Sequence, residues 1–206
     1  MKPQRPAPQH GGLALWLALS TLLALLSMAV AARPALRPDL AWEASRFASQ
    51  PWRAFTAALV HWSTMHLVLN LCGVAVLALW AAATRVTRRA ALAWALAWPL
   101  TQIFLLLRPD LPPYGGLSGV LHAGTLLATL PLLSGDQPLR VRVLGWTALV
   151  ALTSKVLLEH PWGAAVVVTA HLDVPVAPMG HAGGLLAAGV AWGVTGVWVR
   201  WRERFA

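Results

Sequence analysis

Three short motifs concentrate the side chains that could do chemistry in an otherwise apolar chain. They are HWSTMHLVLN, GGLSGVLH and MGHAGGLLAAG, which begin at His61, Gly115 and Met179. A serine hydroxyl becomes a nucleophile when a neighbouring base takes its proton, and histidine is the commonest such base. The first question is therefore whether Ser118 of the second motif meets His181 of the third.

Ser118 lies between Gly116 and Gly119 at the start of an apolar run. A serine at a helix N-terminus has free backbone N–H groups beside it, and the helix dipole favours negative charge there. Glycine allows close backbone approach or a positive φ. The alternative is helix packing, because small residues let membrane helices approach and serine adds a hydrogen bond. By itself this motif favours packing.

His181 supplies a candidate base for that serine. Gly184 and Ala188 follow it at i+3 and i+7, so they form a stripe of small residues on one helical face. If this face packs against the stripe of Gly119 and Ala123, Ser118 and His181 can meet. The alternative is a histidine that caps its helix at the membrane interface.

His66 and Asn70 are four residues apart and share one helical face. Both carry N–H donors of the kind that stabilise developing negative charge in a dry site. The alternative is interhelical hydrogen bonding, which is common for Asn and His in membranes. His122 lies one turn after Ser118, as a supporting hydrogen-bonding group or as a competing base.

No carboxylate lies inside an apolar run near these groups, so a serine–histidine pair is the natural prediction. Glu159 and Asp173 lie in the loop before the last apolar run and could orient His181. We expect Lys155 to extend towards the outer interface. We expect His61 to lie at that interface as well.

The composition is that of a membrane protein. The 206 residues are 58% hydrophobic and 11% charged, whereas a soluble domain carries about 25% charged residues. Six apolar runs are long enough to be candidate spans: Gly12–Ala32, Met65–Ala83, Ala90–Leu107, Leu117–Leu133, Val143–Leu158 and Met179–Val199. The first exceeds the 7–15 residues or so of a signal peptide's apolar region, so we expect a retained helix. No strand pattern appears.

The net charge of +9 follows the predicted topology and does not indicate nucleic-acid binding. One side of a six-span arrangement carries most of the basic residues, which marks it as cytoplasmic. These are Lys2, Arg5, Arg85, Arg88, Arg89, Arg140, Arg142, Arg200, Arg202 and Arg204. We expect residues 1–11 and 200–206 to be cytoplasmic tails around a membrane domain, 12–199. The even-numbered spans then run inward, and the three motifs lie at a similar depth near the outer face.

In this order, HLVLN, GLSG and HAGGLLAAG resemble the motifs of the rhomboid intramembrane serine proteases. The resemblance extends over nearly the whole chain and implies an all-α membrane protein with a six-helix rhomboid-like bundle. It implies Ser118 as nucleophile and His181 as base. It also implies an oxyanion hole made by His66, Asn70 and the Ser118 amide, with Gly116 shaping the turn.

The resemblance further implies a short fourth helix beginning in a water-accessible cavity, a cap formed by loop 159–178, and substrate entry beside the fifth helix. Within the family, GLSGVLHAG is most similar to the bacterial rhombosortases, which implies removal of C-terminal Gly-Gly sorting tails. The implied location is the bacterial inner membrane, with the site facing the periplasm.

The substrates implied are membrane-anchored proteins, and no cofactor, metal or nucleic acid is expected. Two alternatives are an inactive rhomboid-like protein that binds transmembrane helices, and a small transporter. Intact Ser118 and His181 count against the first. The lack of internal symmetry counts against the second.

Overall fold

The computed structural model describes residues 11–169 and 174–205. Within these ranges, six helices of twelve or more residues account for most of the chain. They are α1 (Gly11–Ala31), α2 (Thr64–Ala83), α3 (Arg88–Ile103), α4 (Ser118–Thr129), α5 (Leu139–Leu158) and α6 (Pro178–Phe205). Single helical turns, among them Arg37–Leu40 and Arg53–Thr56, occupy the connection between α1 and α2. The prediction of an all-α membrane bundle is confirmed.

Five of the six helices are long and apolar enough to cross a membrane, judged by length and composition. The exception is α4, which with the 3₁₀ turn Leu130–Leu133 forms a shorter apolar segment. Its rise is about 26 Å, somewhat less than the bilayer core of about 30 Å. The predicted fourth span is therefore shorter than its neighbours, as the resemblance implied.

Most helix ends lie close to the predicted span limits, and two differ for a physical reason. α5 begins at Leu139, before the predicted start at Val143. Arg140 and Arg142 are part of the helix, but they are too polar to count within an apolar run. α6 continues past Val199 as far as Phe205 in the same way.

The polar motifs all lie at the same end of their helices. Ser118 opens α4, while His66 and His181 lie in the first turns of α2 and α6. The side chain of Ser63 caps α2 by accepting a hydrogen bond from the His66 amide, at 3.1 Å. This cap fixes where α2 begins and therefore where His66 sits.

The centre of the bundle is formed by α3, α4 and α6, which pack closely together. Trp94 of α3 donates a hydrogen bond from Nε1 to the carbonyl oxygen of Val120, at 2.8 Å, and stacks on Trp16 of α1, at 4.3 Å. By contrast, only 11% of the apolar window of α5 is buried. α5 is thus the helix held most loosely by its neighbours.

The loop before α6 contains two short strands, although no strand pattern is visible in the sequence. β1 (Val167–Thr169) pairs antiparallel with β2 (Val174–Val176), and Val167 lies opposite Val176. β-branched valines favour this extended pairing. Strands of three residues are too short for an alternating pattern to show. Asp173 lies outside the described residues.

Backbones of α4 and α6 approach each other at the two predicted stripes of small residues. A Cβ added at Gly184 would fall on the carbonyl oxygen of Gly119, and one added at Gly119 would fall on that of Gly180. Only glycine permits this approach. The two helices therefore meet where the sequence places its small residues.

Gly184→Ala should destabilise the bundle by about 1–3 kcal/mol, because the new methyl group overpacks the contact with Gly119. The matched control is Gly189→Ala on the same helix, where a Cβ meets nothing within 4 Å. That substitution should be neutral or stabilising by up to about 1 kcal/mol. SDS titration of the purified protein in detergent micelles measures both, and equal effects would contradict the packing assignment.

Candidate active site

The structure brings the serine and the histidine of two separate motifs into contact. Ser118 Oγ lies 3.0 Å from His181 Nε2, which is within hydrogen-bond reach. The His181 side chain is buried. Because the two residues are 63 positions apart, the contact depends on the packing of α4 against α6 and on no local spacing.

Gly116 allows the chain to turn sharply just before Ser118. Its φ of +153° is disfavoured for residues with a side chain, and its amide donates to the carbonyl oxygen of Ala57, at 3.0 Å. A Cβ there would lie 3.0 Å from His66 Nε2. Glycine at this position therefore leaves room for the His66 ring beside the serine.

His66 and Asn70 are both buried beside this turn, on the inward face of α2. Asn70 donates from Nδ2 to the carbonyl oxygen of His66, at 3.0 Å, which fixes the amide. His66 Nδ1 is buried and has no hydrogen-bond partner among the described residues. A neutral ring therefore favours its proton on Nε2, the nitrogen beside Gly116.

His122 contacts the backbone of Ser118, not its hydroxyl. Its Nδ1 lies 2.7 Å from the Ser118 carbonyl oxygen. Its ring stacks on that of His181, with centroids 4.1 Å apart and planes inclined by 18°. Of the two candidate bases, His181 is the one whose nitrogen faces Oγ, while His122 packs behind it.

Glu159, one of the two loop carboxylates that could orient His181, contacts the far side of its ring. Its Oε2 lies 2.6 Å from His181 Nδ1. Burial raises the pKa of the Glu159 carboxyl, but hydrogen bonds from His181 and Lys155 outweigh burial and lower that pKa to about 2. The carboxylate follows the end of α5, so no scan for charges inside apolar runs could find it.

Lys155, near the C-terminal end of α5, contacts two polar groups of the site. Its Nζ lies 2.6 Å from Glu159 Oε1 and 2.9 Å from His122 Nε2. Lys155 in the last turn of α5 and Glu159 just after it are four residues apart, so both lie on one face. That spacing was the signal in the sequence that links the two residues.

Tyr114 is a further polar residue at this site that sequence reasoning missed. Its side chain lines the same cavity as Ser118, and burial raises the pKa of the phenol, which keeps it protonated. The Tyr114 backbone is held by two hydrogen bonds with Trp42, at 2.7 and 3.0 Å. Its position in PPYGG, four residues before the serine, is the only sequence signal for it.

His61 is buried against His66 in the segment just before α2. It is 1% exposed, and its ring meets that of His66 edge-on with centroids 4.9 Å apart. Burial, and secondarily the charge on His66, lowers the pKa of His61 to about 4. A neutral His61 can donate from Nδ1 to the carbonyl oxygen of Leu59, 3.1 Å away.

A cavity of about 940 Å³ opens beside these groups. Its polar end includes Ser118, His181, His66 and Asn70, and its remaining walls are largely apolar. The walls run along α2, α4 and α5, so the cavity lies next to the helix with the least buried surface. The site therefore places a hydroxyl, a base and N–H donors at the polar end of a largely apolar cavity.

Within 11–169 and 174–205, no group of three or more His, Cys, Asp or Glu side chains is arranged as a metal site.

Comparisons with known proteins assign the family. A comparison with curated proteins finds no match, and neither does a comparison with solved structures. The model of the rhomboid domain matches residues 48–199, which is more than half of the chain and includes all three polar motifs. The chain therefore belongs to the rhomboid family of intramembrane serine proteases.

Proposed function

We propose that this protein is an intramembrane serine endopeptidase in which Ser118 is the nucleophile and His181 is the general base. The observation that supports this most directly is the 3.0 Å separation of Ser118 Oγ and His181 Nε2 at the head of a large apolar cavity. A hydroxyl within reach of a buried imidazole is the arrangement that acyl transfer requires.

The reaction proceeds in two halves. His181 Nε2 takes the proton of Ser118 Oγ as that oxygen forms a bond to the scissile carbonyl carbon, whose π electrons move to the carbonyl oxygen. When the carbonyl re-forms, the C–N bond breaks and the imidazolium protonates the leaving amine. Water then adds to the ester with the same base, and Ser118 recovers its proton as the acid product leaves.

The oxyanion of each tetrahedral intermediate is stabilised by His66, Asn70 and the backbone amide of Ser118. Both side chains line the cavity next to the serine. The Ser118 amide belongs to the first turn of α4 and has no partner within its own helix. Gly116 and Gly119 leave the space that this arrangement needs, and His122 and Gly184 support it.

The substrate is a membrane-anchored protein with a transmembrane segment. The apolar cavity beside α5 suits a helix that enters sideways from the bilayer and unwinds near small residues. The GLSGVLHAG run supports a narrower assignment, in which the enzyme removes C-terminal sorting tails of the Gly-Gly type. Such a tail has a glycine-rich motif, an apolar helix and a basic end.

The similarity to the bacterial rhombosortases supports a location in the bacterial inner membrane, and the arginine distribution supports cytoplasmic termini. Arg85, Arg88 and Arg140 flank helix ends opposite the polar motifs. The active site then faces the periplasm, where a sorting tail would be cut.

Ser118→Ala should abolish cleavage of a reporter protein fused to a Gly-Gly motif, an apolar helix and a terminal arginine cluster. The reason is that no other hydroxyl is expected to attack the scissile bond. Ser134→Ala removes an exposed serine beyond the opposite end of α4 and should leave cleavage unchanged. Co-expression followed by immunoblotting measures both, and cleavage by Ser118→Ala would contradict the assignment.

A fluorophosphonate probe separates the protease from its two rivals. The probe should label the wild-type protein at Ser118 and fail on both Ser118→Ala and His181→Ala. A helix-binding protein without activity, or a transporter, would give no labelling of the wild type.

Asn70→Ala should lower kcat by about 10²- to 10³-fold with little change in KM, because the lost N–H donor acts on charge that develops only in the transition state. Steady-state cleavage of the same reporter in detergent micelles measures the two constants. A rise in KM at unchanged kcat would place Asn70 in substrate binding instead.

A further inference from the structure

We infer that Glu159 is a positioning residue for His181, so that the site works as a serine–histidine–glutamate chain and not as a two-residue pair. The inference rests on the proposed function, because it concerns how that base is held. Glu159 Oε2 lies 2.6 Å from His181 Nδ1, and His181 Nε2 lies 3.0 Å from Ser118 Oγ. The two ring nitrogens thus face the carboxylate and the hydroxyl.

The surrounding hydrogen bonds admit one consistent assignment of protons. His122 Nδ1 faces the Ser118 carbonyl oxygen, which can only accept, so His122 carries its proton on Nδ1. His122 Nε2 is then an acceptor for the Lys155 ammonium, 2.9 Å away. Lys155 also donates to Glu159 Oε1, at 2.6 Å, which leaves Oε2 to accept from His181 Nδ1.

This assignment fixes the tautomer that catalysis needs. With its proton on Nδ1, His181 presents a lone pair on Nε2 towards Ser118 Oγ. Lys155 Nζ also lies 3.4 Å from His181 Nδ1, but both groups are donors there, so the carboxylate at 2.6 Å is the partner. A free imidazole would divide its population between the two tautomers, and Glu159 removes the unproductive one.

Glu159 also stabilises the positive charge that His181 acquires during the reaction. When His181 takes the serine proton, it becomes an imidazolium in a buried position. A carboxylate on its other nitrogen stabilises that cation without accepting the proton itself. Lys155 holds the carboxylate in place by donating to its other oxygen, Oε1.

The carboxylate is held by a helix that carries little buried surface. Glu159 directly follows α5, of which only 11% of the apolar window is buried. The next residues are tied down by Arg108, whose Nη1 donates to the carbonyl oxygen of Pro161, at 3.0 Å. The polar contacts between this end of α5 and His181 are thus made by Lys155 and Glu159.

Stability at low pH tests whether the contact exists. The pKa of Glu159 is about 2 in the folded protein and near 4.5 when unperturbed, so its contribution is present above about pH 4.5. It is lost as pH falls towards 2. The groups that face the carboxylate are His181 and Lys155, with His122 beyond Lys155. The difference in thermal midpoint between wild type and Glu159→Gln should shrink over this range, and a difference that does not change would contradict the contact.

Kinetics test the positioning role. Glu159→Gln should lower kcat for the tailed reporter and the rate of fluorophosphonate labelling by about 10²- to 10⁴-fold, with little change in KM. Glu159→Asp keeps a carboxylate and should recover part of this loss. The matched control is Glu43→Gln, which removes the carboxylate of another glutamate–cation pair, with Arg46 in the connection between α1 and α2. It should leave both rates unchanged.

A spectroscopic readout separates positioning from a merely structural effect. In ¹⁵N-histidine-labelled protein, His181 should show the Nδ1–H tautomer, and Glu159→Gln should lose that preference while the fold is retained. Unchanged rates and an unchanged tautomer in Glu159→Gln, with Ser118→Ala inactive, would overturn this inference and leave the protease assignment standing. Cleavage by Ser118→Ala would overturn the assignment of Ser118 as the nucleophile.

Discussion

The site depends on the close approach of two helix backbones. At Gly119 and Gly184, α4 and α6 come so near that a single methyl group on either would strike a carbonyl group of the other helix. In a bilayer such contacts are a principal source of association between helices, since lipid is as apolar as the side chains. The same approach sets Ser118 Oγ against His181 Nε2. Packing and chemistry therefore share one contact.

Five residues of the site are joined by polar contacts in a closed circuit. The path runs from Ser118 Oγ to His181, Glu159, Lys155 and His122, and returns to the Ser118 carbonyl oxygen. Burying a polar group is costly unless it is hydrogen-bonded, so this circuit stabilises the buried ring of His181. It also joins α4, α5 and α6 at the depth where the cavity begins.

Much of this arrangement was predictable because it follows from local pattern. Apolar length predicts the helices, and the arginines predict which helix ends share a side. Helical spacing pairs His66 with Asn70 and Gly184 with Ala188. Together these place three polar motifs at one depth. The contact of Lys155 with His122 was not predictable in this way, because it joins residues of two different helices.

By itself, the sequence determined the membrane class, the order of the helices and the candidate nucleophile and base. These depend on composition and on periodicities of a few residues. Only the tertiary structure decided the partners of His181, because Glu159 and Ser118 lie 22 and 63 positions away in the chain. It also decided which histidine faces the hydroxyl: Nε2 of His181 lies next to Ser118 Oγ, whereas His122 contacts the Ser118 carbonyl oxygen. The partner of each hydrogen bond depends on how three helices pack, so residue spacing along a single helix does not predict it.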